Sequence, residues 1–265
     1  MNLIITPNSD LVGYFQKHLV PIYFELTGIY KKKFIITSFV LSIRDQWLLV
    51  TAGHCIGDVN NLLNNHAYKI SRCCLIDSGG LDAKHTEPIP FDYNGSSPVK
   101  LSDNPDYDYG LMFLDDNYRM LLEKNSIIPL NETVWKLQPK KVDFYMLLGV
   151  PWELFTTSIN KVHFVTSLHK IEPLSERPDE FHETDAPTFY GRIKLGNNLT
   201  TIKGMSGGPI FSFHQKENGE LKYWLHALQS RWVSGTRNIA ACLTTPLASF
   251  LEEVMDGKHR HLLPP

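Results

Sequence analysis

Four cysteines in 265 residues leave little room for a disulfide framework. They are Cys55, Cys73, Cys74 and Cys242, and two of them are chain neighbours, which make a poor bridge. No apolar run approaches the roughly 18 to 20 residues a membrane-spanning helix needs. Residues 1–10, Met-Asn-Leu-Ile-Ile-Thr-Pro-Asn-Ser-Asp, lack the basic start and long apolar core of a secretion signal. Neither sign of charge is in excess: the formal net charge is −2, so no nucleic-acid or membrane-surface partner is expected. The eleven histidines are scattered, and the one cluster, His259-Arg260-His261, lies in a tail read as solvated, so no metal site is expected. With 43% hydrophobic residues there is ample material for a core.

Three stretches carry chemistry. Gly204-Met205-Ser206-Gly207-Gly208-Pro209 sets a serine between glycines ahead of the apolar pair Ile210-Phe211. A serine hydroxyl is a weak nucleophile at neutral pH and needs a neighbouring base. The charge that grows on an attacked carbonyl needs donors already in place, and glycines let backbone N–H groups come close. Here the N–H groups of Gly204 and Ser206 would serve. Leu49-Val50-Thr51-Ala52-Gly53-His54-Cys55 is an apolar strand ending in small residues and a histidine, the residue suited to act as base and then acid. Asp106-Tyr107-Asp108-Tyr109-Gly110-Leu111-Met112-Phe113-Leu114 puts an acid before an apolar strand, where a carboxylate can fix the tautomer of a histidine. Taken singly, these are a Gly-rich turn, a packed histidine and a strand-initiating turn. It is their joint occurrence, in the order His, Asp, Ser, that points to one site.

That order and those contexts resemble the chymotrypsin/trypsin-like serine endopeptidases, whose Thr-Ala-x-His-Cys, Asp-x-x-Leu-x-x-Leu and Gly-x-Ser-Gly-Gly-Pro signatures are legible here. The resemblance covers roughly residues 20 to 255. It implies His54 as base, Asp108 as orienting acid, preferred to Asp106 by the register of Leu111, Met112 and Leu114, and Ser206 as nucleophile. It implies no metal or organic cofactor, and a protein or peptide as substrate. Secreted members pair the cysteine after the histidine with one about fifteen residues earlier, where this chain has Phe39. That staple cannot form, and with no signal read, an intracellular, reduced, cytoplasmic protein is expected. The sequons at Asn94, Asn131 and Asn198 are then chance. The pocket floor of the family falls on Thr200, which offers no charge. Ser230 falls where an extended substrate pairs with the backbone, and Trp232 would narrow or cap the pocket, favouring a small or uncharged residue before the cut. Met205 replaces the Asp that ion-pairs with a freed N-terminus in zymogen-type members. Either a constitutively formed oxyanion hole or one ordered by a protein partner is then expected, as in the bacterial high-temperature-requirement proteases, whose serine loop this one also resembles.

The fold class expected is mainly β: a double β-barrel of the chymotrypsin-like type with a C-terminal helix. Residues 1–19 read as an N-terminal extension, 20–130 as a first lobe carrying His and Asp, 131–256 as a second carrying Ser, and 257–265 as a tail. Ser9-Asp10 is expected to cap a helix to about His18. One strand is expected over Phe34–Ile43, no regular element over Val59–Tyr68, a turn at Gly196-Asn197-Asn198, and a helix over Leu247–Met255 with Leu247, Phe250, Leu251 and Val254 on one stripe. Two other functions fit the same motifs: a catalytically silent binding module, and a self-processing maturation protease.

Overall fold

The computed structural model describes residues 2–4, 11–64, 67–80, 87–158, 162–196 and 199–263. The expected cap at Ser9-Asp10 and the turn at Asn197-Asn198 lie outside them. The first strands in chain order are β1 (Asn2–Ile4), β2 (Ile22–Gly28), β3 (Lys32–Ile36), β4 (Phe39–Ile43), β5 (Gln46–Ala52), β6 (Tyr68–Leu75), β7 (Ile89–Pro90), β8 (Val99–Lys100) and β9 (Tyr109–Phe113). Then come β10 (Phe144–Gly149), β11 (Phe155–Thr157), β12 (Val162–Phe164), β13 (Ser167–Pro173), β14 (Thr188–Ile193), β15 (Pro209–Gln215), β16 (Glu220–Val233) and β17 (Asn238–Leu243). The α-helices are α1 (Leu11–Phe15), α2 (Gly53–Asn64), α3 (Asp116–Lys124), α4 (Glu132–Trp135) and α5 (Thr244–Met255).

The architecture is mainly β. Two four-stranded sheets, β3-β2-β6-β7 and β4-β5-β9-β8, wall a first lobe around Ile22, Phe24, Leu49, Leu75 and Met112. A second sheet runs β1-β16-β15-β10-β13-β14-β17, and the pairing of β16 with β17 closes six of its strands into a barrel. Closure removes the free edges that would otherwise invite pairing with another chain. A further cluster joins the lobes, packing Leu41, Val50 and Leu111 with Phe211, Leu228 and Leu251. Helix α5 follows the barrel and buries Leu247, Leu251 and Val254, as its stripe requires, with Phe250 only half-buried. No helix among the described residues is long and apolar enough to cross a membrane.

Two expectations need correction. The stretch Phe34–Ile43 is not one strand: it is broken at Thr37-Ser38 into β3 and β4. Both hydroxyls there leave the ladder for other partners, Ser38 donating to Val20 O and Thr37 to Gly204 O. The stretch after His54 is helical through Asn64, with Ile56 and Val59 on its buried side. Its asparagines dilute the apolar period, which is why no element was read there.

Residues 11–19, set apart in sequence as an extension, are built into the core. Phe15 is fully buried against Phe211, Phe213 and Tyr223. Beside it His18 is buried, its Nδ1–H donating to Ile128 O at 2.6 Å while Nε2 has no partner among the described residues. Burial pushes this ring down to about 3. An unfolded histidine titrates near 6.5, so the neutral ring contributes its stability fully above that pH, and the contribution is lost as pH falls toward 3. Unfolding free energy should therefore drop by about 1.4 kcal/mol per pH unit across that window. His18→Asn keeps a donor for Ile128 and does not titrate. Its urea midpoint should vary less with pH than that of the parent, and parallel profiles would refute this assignment.

Candidate active site

Strand β5 delivers Thr51 and Ala52 to the cleft, and α2 begins at once with Gly53 and His54. The first turn of a helix has N–H groups with no intrahelical partner. Here Asp108, the residue just before β9, satisfies two of them. Asp108 O accepts from Gly53 N at 3.1 Å and Asp108 Oδ1 accepts from His54 N at 2.7 Å. The second carboxylate oxygen, Oδ2, accepts from His54 Nδ1 at 2.7 Å and from the Ser230 hydroxyl at 2.5 Å. One buried carboxylate thus fixes both the helix start and the ring that the helix carries. Nδ1 is held as the protonated nitrogen, and Nε2 is left on the far edge of a ring whose side chain is 42% exposed. Burial alone would push the Asp108 carboxyl up, but the hydrogen bonds from His54 and Ser230 hold it below the ordinary range. For His54 burial works against the charged ring, yet Asp108, with Cys55 alongside, holds it above the ordinary histidine range. Asp106, the acid passed over in sequence, faces elsewhere: it accepts from His182 Nε2 and Asp185 N, both at 3.1 Å.

Ser206 lies in the loop from Ile202 to Gly208, pressed against the end of β5. Gly207 has φ +86°, and a Cβ there would stand 2.6 Å from Thr37 O and 2.7 Å from Ala52 N. Gly204 has φ +94°. The backbone donors of the loop divide sharply. Met205 N donates to Ile202 O, Gly207 N to Gln229 O and Gly208 N to Met205 O, at 2.8 to 3.0 Å. The N–H groups of Gly204 and Ser206 have no acceptor among the described residues. Their direction follows from trans peptide geometry, which points C=O and N–H opposite ways. Lys203 O is held by Trp152 N at 2.7 Å and Met205 O by Gly208 N at 2.9 Å. In each peptide the carbonyl is tied down and the N–H is turned to the other side. Cys55 lies behind the serine, its Sγ 4.0 Å from Ser206 O, and all four cysteines are free. Ser206 is half-buried, and its hydroxyl has no hydrogen bond among the described residues.

The remaining candidates are dispersed. Met205 is fully buried in a cluster with Leu147, Ile202 and Ile210, where Gly149 makes room for it: a Cβ on that glycine would lie 3.1 Å from Met205 Cε. Trp232 packs half-buried against the same cluster, and its indole N–H finds no acceptor among the described residues. Thr200 is exposed, and both its N–H and its hydroxyl donate to the Glu153 carboxylate. Sequence reasoning missed Glu153, Trp152 and Thr37. Only Thr37 left a signal, as one of two adjacent hydroxyl residues in an otherwise apolar stretch.

No protein-family model and no curated protein matches this sequence. Solved structures do resemble the fold. A thermostable serine protease, AL20, from an extremophilic microorganism is 14% identical, with 89% of this chain and 94% of that one covered at a TM-score of 0.52. An inactivated protease paralogue of the scabies mite is 13% identical, with 94% and 97% covered at 0.53. The protein GrC is 15% identical, with 96% and 98% covered at 0.52. At such identities the likeness is one of architecture, and it includes a protein that has lost activity, so activity must be argued from the site. The chain is folded as a chymotrypsin-like double β-barrel with a C-terminal helix.

Proposed function

We propose that this chain is a serine endopeptidase. Ser206 attacks a peptide carbonyl, His54 takes its proton through Nε2, and Asp108 holds the ring and stabilises the imidazolium. The amine leaves with the proton returned by His54, and water hydrolyses the acyl-enzyme by the same route. The observation that carries this reading is the pair of unspent N–H groups at Gly204 and Ser206, flanked by donors that are all engaged. Two free donors two residues apart, each in a peptide whose carbonyl is tied down, suit a growing oxyanion, because little must reorganise as charge develops. No hydrogen bond joins the Ser206 hydroxyl to His54 among the described residues, and catalytic bonds of this kind tighten on binding substrate. Met205 is packed, not ion-paired, which fits non-zymogen members such as the high-temperature-requirement type. The preset donors favour a constitutive hole, and a protein partner would then act on access or turnover. Trp232 and the uncharged Thr200 favour a small or uncharged residue before the cut, with Ser230 beside the substrate strand. Four free thiols fit a reducing compartment.

Intact mass after exposure to a fluorophosphonate tests the reading. Wild type should gain one adduct, and Ser206→Ala none. A well-folded wild type that gains no adduct refutes a preset nucleophile and leaves a silent binding module.

A further inference from the structure

We propose that Thr37 is a positioning residue for the oxyanion hole, so that docking of the first lobe, not a freed N-terminus, sets the serine loop. The proposal deepens the hydrolase reading above and rests on it for its catalytic arm.

Thr37 is contributed by the first lobe and is fully buried between β3 and β4. Its hydroxyl works in both directions at once. Oγ1–H donates to Gly204 O at 2.8 Å, and Oγ1 accepts from Val150 N at 3.1 Å. Gly204 O belongs to the peptide between the two whose N–H groups are free. Val150 belongs to the segment whose Trp152 N holds Lys203 O. A single hydroxyl therefore spans the loop that presents the donors and the segment that orients one of them. The main chain of Thr37 adds a second tie: its carbonyl accepts from Thr51 Oγ1 at 2.8 Å and lies against Gly207. Only a side chain that both donates and accepts can fill this place, and its branched stem must fit a closed site. Valine matches the shape and supplies neither function, leaving the half-buried Gly204 O and the buried Val150 N without this partner. The Met205 side chain cannot compensate, because it holds the loop by packing and offers no donor.

The test compares Thr37→Val with Thr37→Ser in two readouts. The first is the second-order rate of fluorophosphonate labelling as a function of pH. Thr37→Val should lose about 100-fold, the order seen when an oxyanion donor is misplaced, with the pH midpoint unchanged because the His54–Asp108 pair is untouched. Thr37→Ser should recover most of the rate. The second readout is amide hydrogen exchange over 203–208 and at Val150, which should quicken in Thr37→Val and not in Thr37→Ser. A purely structural role would lower the melting temperature and leave the labelling rate, measured well below it, unchanged. If Thr37→Val fails to fold, Thr37→Ala relieves any crowding and carries the same readouts. Labelling of the hydroxyl-less variant at the wild-type rate overturns the proposal, as does unaltered exchange in the loop. Should wild type take no adduct, the hydrolase reading falls, and the exchange comparison alone decides whether Thr37 positions the loop.

Discussion

Asp108→Asn is expected to lower the fluorophosphonate labelling rate by about 10⁴-fold while leaving the protein folded. The reason lies in what the carboxylate accepts. Oδ1 takes the backbone N–H of His54, and Oδ2 takes both the ring Nδ1–H and the Ser230 hydroxyl. An amide has one acceptor and one donor. If its NH₂ sat at the Oδ1 position it would face the helix N–H, which cannot turn away. It should settle at the Oδ2 position, where the Ser230 hydroxyl can rotate to accept. The ring must then accept at Nδ1, and its proton moves to Nε2, the nitrogen needed to receive a proton from the serine. The base is present and in place but in the wrong tautomer. The pH midpoint of the residual labelling should fall, because the carboxylate that holds the His54 ring above its ordinary range is gone. A loss smaller than tenfold, or an unmoved midpoint, would show that Asp108 does not orient the ring.

The second large effect is on stability. Gly207→Ala should cost about 4 kcal/mol, the sum of a left-handed residue at about 1 to 2 and a forced contact at about 1 to 3. The left-handed backbone, φ +86°, is one part. The other is that the new Cβ would press on Thr37 O, Ala52 N and the Thr51 hydroxyl, two of them backbone atoms that cannot swing aside. Gly219 separates the two contributions. It too is left-handed, at φ +81°, but nothing lies within 4 Å of a Cβ built there. Gly219→Ala should cost only about 1 kcal/mol. Urea unfolding of the two variants checks the difference directly. Equal midpoints would mean that the serine loop is free to back away from the first lobe, and the tie through Thr37 would then be slack.

Much of the candidate site was legible because its chemistry is written in contiguous residues. A serine that needs backbone donors beside it demands glycines at 204, 207 and 208. A histidine that must reach a cleft demands small residues before it, and these are Ala52 and Gly53. The barrel strands were legible where apolar residues crowd between turns, as in β5 and β9. What sequence hid was action at a distance. Nothing in Ile36-Thr37-Ser38-Phe39 says that one hydroxyl will meet Gly204. Nothing near Thr200 points to Glu153, and nothing in an Asn-rich stretch announces α2. Each depends on where a remote segment comes to rest, and a single sequence carries no direct record of that. Trp232 shows the same limit. It reads in sequence as narrowing the pocket, yet its ring packs against the Met205 cluster, and the bulge in β16 between Gln229 and Arg231 shifts the register just before it.

The burial of Phe15 bears on the order in which the molecule assembles. Its ring partners, Phe211, Phe213 and Tyr223, lie about two hundred residues later, so this early segment has to wait for strands made near the end of synthesis. His54, Asp108 and Thr37 are likewise translated well before Ser206. A nascent chain that has finished its first lobe holds the His54–Asp108 pair but not Ser206, and its apolar Phe15 face is still uncovered. The burial of that face and the arrival of the serine loop then fall in the same late step. A half-made chain would be a client for chaperones until that step is complete.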